Sequence, residues 1–255
     1  MKVVISPAKT LDYESKVPTK KYTQPIFLEE AEKIAGVLKK KSKNQLRELL
    51  GVSDNLAQLN YQRNQQWSLP FTPDNARQAI YAFNGDVYRG IAIQSLPLKK
   101  LDKLQDTLRI ISGQYGLLKP LDLMQPYRLE MGTALKIGRN ENLYKFWDKK
   151  ITEALNEELK EREPLINLAS NEYFKAIKTK VLHSEIITPM FKEYKNGTYK
   201  TIAIFAKYAR GLMVRYIINN NITSVEGLKG FDLENYGYDD NLSSEKELVF
   251  TRNNQ

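Results

Sequence analysis

The run Met124-Gln125-Pro126-Tyr127-Arg128-Leu129-Glu130-Met131 puts a proline, a phenol, a guanidinium and a carboxylate within five positions, with little amphipathic periodicity. Pro126 restrains the local backbone, Arg128 offers a planar fork to a phosphate or carboxylate, Glu130 can orient that fork, and Tyr127 can stack or hydrogen-bond. The same run also reads as a buried Arg–Glu pair that braces a loop. Comparable polar sets follow short apolar runs elsewhere: Ser6, Lys9 and Thr10; Ser112 and Tyr115; Asn167, Ser170 and Tyr173. If those runs are strands of one sheet, their carboxyl ends converge on a crevice of the kind in which open α/β sheets bind ligands. The expected lining is Ser6, Thr10, Asp86, Tyr88, Ser112, Tyr115, Tyr127, Asn167 and Tyr173, and Lys9, Arg128, Glu130 and Ser170 are the groups available for chemistry. Lys207 and Arg210 lie three residues apart, on one helical face, and could meet an anion or simply pack. His183 has no second histidine or cysteine near it and reads as structural or surface.

The elements that must hold these residues are legible in outline. Lys2 to Ile5 reads as a buried strand ended by Ser6-Pro7, and Leu28, Ala31, Ile34, Ala35 and Leu38 have helical spacing. Residues 42–60 suggest a helix, a turn at Leu50-Gly51-Val52-Ser53 and a second helix capped by Ser53 or Asp54. This outline matches either a plain helical hairpin or a helix-hairpin-helix, with Lys43, Arg47, Gly51 and Ser53 placed to meet phosphate and Ser53 standing where that motif has a second glycine. Thr72-Pro73-Asp74 predicts a helix start, with Ala79, Ile80 and Phe83 on its buried face. A helix is expected from about Pro97 to Asp106, a strand over Arg109–Ser112, one amphipathic helix over Tyr144–Leu159 and a strand over Leu165–Ala169. Ser170 is a natural N-cap. Asn196-Gly197 predicts a hairpin between Ile186–Tyr194 and Tyr199–Phe205, followed by a helix over Lys207–Asn219 and a last strand at Leu248–Thr251. With no internal repeat or linker, the economical reading is a single mixed α/β unit over residues 1–255, a mixed sheet with surrounding helices.

Composition limits the chemistry. There is no cysteine, so disulfides, thiolate catalysis, iron–sulfur ligation and thiol-based peroxide reduction are excluded, and a single histidine cannot build a multi-histidine metal site. No metal or cofactor is expected. A formal charge of +9 favours polyanionic partners or reflects solvated lysines. The apolar stretch at the N-terminus is too brief for a secretory signal, and no run approaches the length of a membrane span, so a cytoplasmic location is the expectation.

Ser6-Pro7-Ala8-Lys9-Thr10-Leu11-Asp12-Tyr13, Asn75-Ala76-Arg77-Gln78-Ala79-Ile80, Gly85-Asp86-Val87-Tyr88, Leu121 through Gly132, Asn167-Leu168-Ala169-Ser170, Ala206 through Met213 and Glu247-Leu248-Val249-Phe250 together resemble the YaaA peroxide-stress resistance family along nearly the whole chain. That resemblance implies a compact α/β arrangement called cantaloupe. It also implies a cytoplasmic bacterial protein that limits peroxide damage, is linked to lower free iron, and binds DNA through a basic cleft with a helix-hairpin-helix element. The partner expected is double-stranded DNA, read without strong sequence preference, at Lys43, Arg47, Gly51, Ser53, Lys9, Arg128, Lys207 and Arg210. A rival expectation is an enzyme that uses Lys9, Arg128, Glu130, Ser170 and Lys207 on a nucleotide, nucleobase or modified nucleic acid. A third is iron handling through Asp86, Glu130 or the acidic tail.

Overall fold

A computed structural model describes residues 1–253. Its spine is five parallel strands in the spatial order Glu247–Arg252, Ile186–Lys195, Leu165–Leu168, Lys2–Ile5 and Leu108–Ser112. Antiparallel strands Gly237–Tyr238 and Gly116–Leu118 flank the two edges, and Thr198–Lys200 folds back on the end of Ile186–Lys195. The class is the mixed α/β one expected. The central strands carry Val3, Val4, Ile5, Ile110, Ile111, Leu165 and Ile166, all fully buried, because a parallel strand covered on both faces needs a continuous apolar run. Arg109 interrupts that run. Its guanidinium meets Glu158 at 2.5 Å and the carbonyls of Gln105 and Leu108 at 2.7 and 2.6 Å, which satisfies a cation that would otherwise be costly to bury.

The order of the strands decides where a site can form. From Lys2–Ile5 the chain goes to Leu108–Ser112 on one side, then returns to Leu165–Leu168 on the other and continues outward to Ile186–Lys195. The direction of winding therefore reverses between Ile5 and Leu168, and in open α/β sheets the carboxyl ends at such a reversal are where ligand sites usually form.

Helices Leu28–Lys39, Lys43–Leu50 and Asp54–Gln66 follow one another, and the Gln65 side chain fastens the third to the first through the Lys39 carbonyl at 2.8 Å. Helix Ala203–Asn219 crosses the short helix Asp86–Ile91 with Gly211 against Gly90; a Cβ on Gly211 would collide with the Val87 carbonyl, so only glycine permits the crossing. Nearly all of the buried apolar residues form one cluster from Val3 to Phe250.

Three expected elements differ. Thr72 caps a turn and not a helix: the Asn75 side chain bonds the Thr72 N–H and the Pro70 carbonyl, each at 2.9 Å, and Arg77–Gln78 then pairs as a strand with Leu123–Met124, leaving only Ala79–Ala82 helical. The segment Tyr144–Leu159 is two helices, Leu143–Trp147 and Lys150–Glu158, broken at Asp148 with φ 39°. The second strand of the Asn196-Gly197 hairpin is only Thr198–Lys200, because Ala203 already begins the helix that the sequence placed at Lys207.

Candidate functional site

Ser6 and Ser170 stand at the two carboxyl ends where the winding reverses. The Ser170 backbone N–H donates to Ser6 Oγ at 2.9 Å, the two hydroxyls lie 3.3 Å apart, and the Tyr88 hydroxyl donates to the Ser6 carbonyl at 3.1 Å. Ser170 is the N-cap residue of helix Asn171–Phe174, though its side chain caps no helical N–H. Beside this pair, Glu130 accepts from Lys9 Nζ at 3.0 Å and from Arg128 Nη2 at 3.4 Å. Lys9 is 65% exposed and the two partners 17%, so the group has a solvated end and a desolvated end. Arg128 Nε is buried and has no partner among the described residues. Burial, with Glu172 and Glu130 nearby, pushes the Tyr173 phenol well above its ordinary value, so it is a neutral donor.

Other expected lining residues are internal. Ser112 Oγ and the Tyr127 hydroxyl are 2.7 Å apart, Ser112 Oγ also accepts the Tyr115 N–H, and the Tyr115 hydroxyl donates to the Gln125 carbonyl at 3.1 Å while Trp67 Nε1 donates to it at 3.2 Å. Ser112 and Tyr115 are fully buried and Tyr127 nearly so, so the first two brace the Pro126–Glu130 run from beneath through Tyr127 and do not line an open crevice. Asn167 is also buried, its side chain accepting the Ala169 N–H at 3.0 Å. Thr10 pairs with Asn84 in a two-residue ribbon, and Asp86 is held by Arg89 on its own helix. Among the described residues no group of three or more His, Asp or Glu gathers as a metal site.

The open space lies to one side of the switch point. Three concavities of about 810, 500 and 280 Å³ adjoin one another: the first two share Tyr13, Arg63 and Pro126, and the last two share Asp12 and Asn84. Tyr88 lines the third, which ties the groove to the serine pair. Lys20, Arg63 and Arg77 line the first chamber against one acid, Asp74, whereas Asp12 and Glu14 line the second. Nothing in the sequence around Arg63 marks it as part of a site. Among the described residues its side chain makes one hydrogen bond, at 3.4 Å to Asn60, and burial together with the Arg128 charge lowers its pKa. The buried face of its helix is Ala57, Asn60 and Asn64, too polar to be read as a core face from sequence, and that orientation is what brings Arg63 to the cavity.

The expected hairpin forms as helices Lys43–Leu50 and Asp54–Gln66. Ser42 and Gln45 make a capping box, Gly51 adopts φ 59°, and Ser53 Oγ accepts the Leu56 N–H. The Gly51 and Val52 N–H groups already bond carbonyls of the first helix, and Lys43 and Arg47 grip Asp54 at 3.1 and 2.9 Å, which lowers the Asp54 pKa. Lys207 is exposed and Arg210 half-buried, and neither makes an ion pair among the described residues. Both stand on the helix whose Tyr208 and Gly211 lie against Gly90 and Val87 of helix Asp86–Ile91.

A family profile described as peroxide stress protein YaaA matches residues 1–242. The chain belongs to the YaaA peroxide stress protein family. Similar curated proteins bear the name UPF0246 protein: one from Flavobacterium johnsoniae is 57% identical over 252 residues, covering 99% of this chain and all of the relative, and one from Alteromonas mediterranea is 54% identical over 257 residues, covering all of this chain and 99% of the relative. That description ties the family to peroxide stress. No helix among the described residues is long and apolar enough to cross a membrane.

Proposed function

We propose that this protein serves the peroxide stress response by binding double-stranded DNA without strong sequence preference, which limits peroxide- and iron-dependent damage in the cytoplasm. The observation that carries this reading is helix Asp54–Gln66, which begins at the Lys43 and Arg47 hairpin and ends at Arg63 and Gln66 on the wall of the first chamber. Its thirteen residues span roughly 20 Å at about 1.5 Å per residue, enough to track several consecutive phosphates along one strand. An excess of positive charge supports the same reading. The complete lack of thiols leaves shielding of DNA as the economical route to protection. The test is duplex affinity across a salt series, for the wild type and for a chain with Lys43, Arg47, Lys207 and Arg210 neutralised. Binding that ignores salt, or no binding, overturns the reading.

A second reading is favoured by one observation, the Lys9–Glu130–Arg128 group beside Ser6 and Ser170 at the point where the sheet reverses its winding. There the Lys9 and Arg128 cations are placed to meet the phosphate of a nucleotide, and the Glu130 carboxylate between them is the candidate base. Ser170 and the neutral Tyr173 supply hydroxyls. Glu130→Gln keeps the shape of the side chain and removes its basicity. Loss of peroxide resistance with duplex affinity intact supports catalysis, and parallel loss of both supports binding alone.

A further inference from the structure

We propose that the 810 Å³ chamber is a pocket for a single unstacked nucleotide, its phosphate received by Arg63 and its base by Tyr13, Tyr22, Trp67 and Gln66. The inference rests on the nucleic-acid reading above and names what part of the polymer enters the chamber.

Three observations carry it. First, Arg63 is a partly buried guanidinium on the chamber wall with no carboxylate partner among the described residues, and burial together with the nearby Arg128 charge lowers its pKa. A partly desolvated cation that lines a cavity without a carboxylate partner is a favourable place for a bound anion, which would supply the missing charge-assisted hydrogen bonds. Arg128 contributes a second unsatisfied donor, its buried Nε, on the same run that walls the chamber at Pro126. Second, the phosphate position is bounded. Arg63 sits where the first two concavities meet, and the second presents Asp12 and Glu14, whose charge turns an anion back toward Arg63. Hydrogen bonds from Ser15 and the Glu14 backbone hold the Asp12 carboxyl below its ordinary range, so it stays anionic. Third, the remainder of the chamber suits a base. Tyr22, 46% exposed, supplies an open ring face, Tyr13 and the buried Trp67 form the aromatic wall behind it, and base–aromatic stacking tolerates any base. The amides of Gln78, Gln125 and Asn75 are occupied inside the chain, whereas the Gln66 side chain makes no hydrogen bond among the described residues and is free to meet a base edge. The volume falls in the range of small-molecule pockets, roughly 300–1,000 Å³, and far below what a duplex requires. A nucleotide reaches such a space only after leaving its stack, which a damaged or mismatched base does most readily.

The experiment is calorimetric titration of the full chain with nucleoside 5′-monophosphates, the matching nucleosides, and inorganic phosphate, alongside a duplex in a salt series. A monophosphate is expected to bind at least tenfold more tightly than its nucleoside or inorganic phosphate, and Arg63→Gln to reduce that affinity about tenfold while leaving nucleoside binding unchanged. Tyr22→Ala, at an exposed position that leaves the fold alone, is expected to weaken the monophosphate and spare inorganic phosphate. Equal affinity for monophosphate and inorganic phosphate overturns the proposal, since it marks a plain anion site. Unchanged monophosphate binding in Arg63→Gln, or in Tyr22→Ala if the first variant fails to fold, also overturns it. Salt-dependent duplex binding without mononucleotide binding overturns the pocket and leaves the duplex reading intact; mononucleotide binding without duplex binding does the reverse.

Discussion

Asp122 shows how a single side chain can make the stability of this fold depend on pH. Its carboxyl accepts from the Thr23 hydroxyl at 2.6 Å and the Lys119 N–H at 2.7 Å, yet it is almost wholly buried, and the loss of solvent outweighs those bonds and raises its pKa from 3.8 to about 6. Because the folded value lies above the unfolded one, the protein binds this proton more tightly when folded. The contribution is therefore fully present below about pH 4, declines as pH rises, and is gone above about 6. A shift of this size corresponds to about 3 kcal/mol, at roughly 1.4 kcal/mol per unit. Urea unfolding at several pH values should show the wild type losing about that amount between pH 4 and 6.5, and Asp122→Asn should flatten the curve; parallel curves would assign the pH dependence elsewhere. No sequence pattern marks this group, because Leu121-Asp122-Leu123 looks like any polar turn until Thr23 is brought 99 positions along the chain to meet it.

At the scale of elements, two sites separate packing from binding. Gly211→Ala ought to help an isolated helix by about 1 kcal/mol, but the added methyl meets the Val87 carbonyl of the crossing helix, and overpacking of that kind costs about 1–3 kcal/mol or more. A net loss of stability, read as a drop in Tm of several degrees, is the expected sign. At the hairpin, Asp54 neutralises Lys43 and Arg47 and stands at the N-terminus of the second helix, where it repels a phosphate. Asp54→Asn should therefore tighten duplex binding several-fold if phosphate lands there, and leave it unchanged if the hairpin is a plain helical turn. The hairpin itself was legible because its signals are local: a serine cap, a glycine stop and a second serine cap. The break at Asp148 was not, since Trp147 is anchored from elsewhere. Its Nε1 bonds the Gly113 carbonyl at 3.0 Å and its ring covers Gly116, so tertiary contacts end a helix whose periodicity would have continued. Phe205 is similar: β-prone by type, it enters a helix and lies against the Arg252 guanidinium.

For the whole molecule, the winding of the sheet explains why part of the site could be read in advance. Ser6 and Ser170 follow apolar runs that had to be parallel strands, and parallel strands bring their carboxyl ends together. Arg128 and Glu130 arrive there on a loop, and their meeting with Lys9 follows from that same edge. The groove was illegible because it is made by surfaces, with Arg63 contributed by one helix and Tyr13 and Pro126 by two loops. If duplex DNA occupies this face, log K should fall with log salt by roughly 0.9 for each phosphate neutralised, and removing the charges of Lys43, Arg47, Lys207 and Arg210 should make that slope shallower by about the same amount for every phosphate that is no longer met. The glycine crossing carries one more consequence. With no side chain between their backbones, helices Asp86–Ile91 and Ala203–Asn219 have no cushion that could absorb a tilt of one against the other. Tyr88, on the shorter of the two, donates to the Ser6 carbonyl, so the placement of the serine pair depends on how closely these backbones approach, and a methyl that parts them also pulls on Ser6.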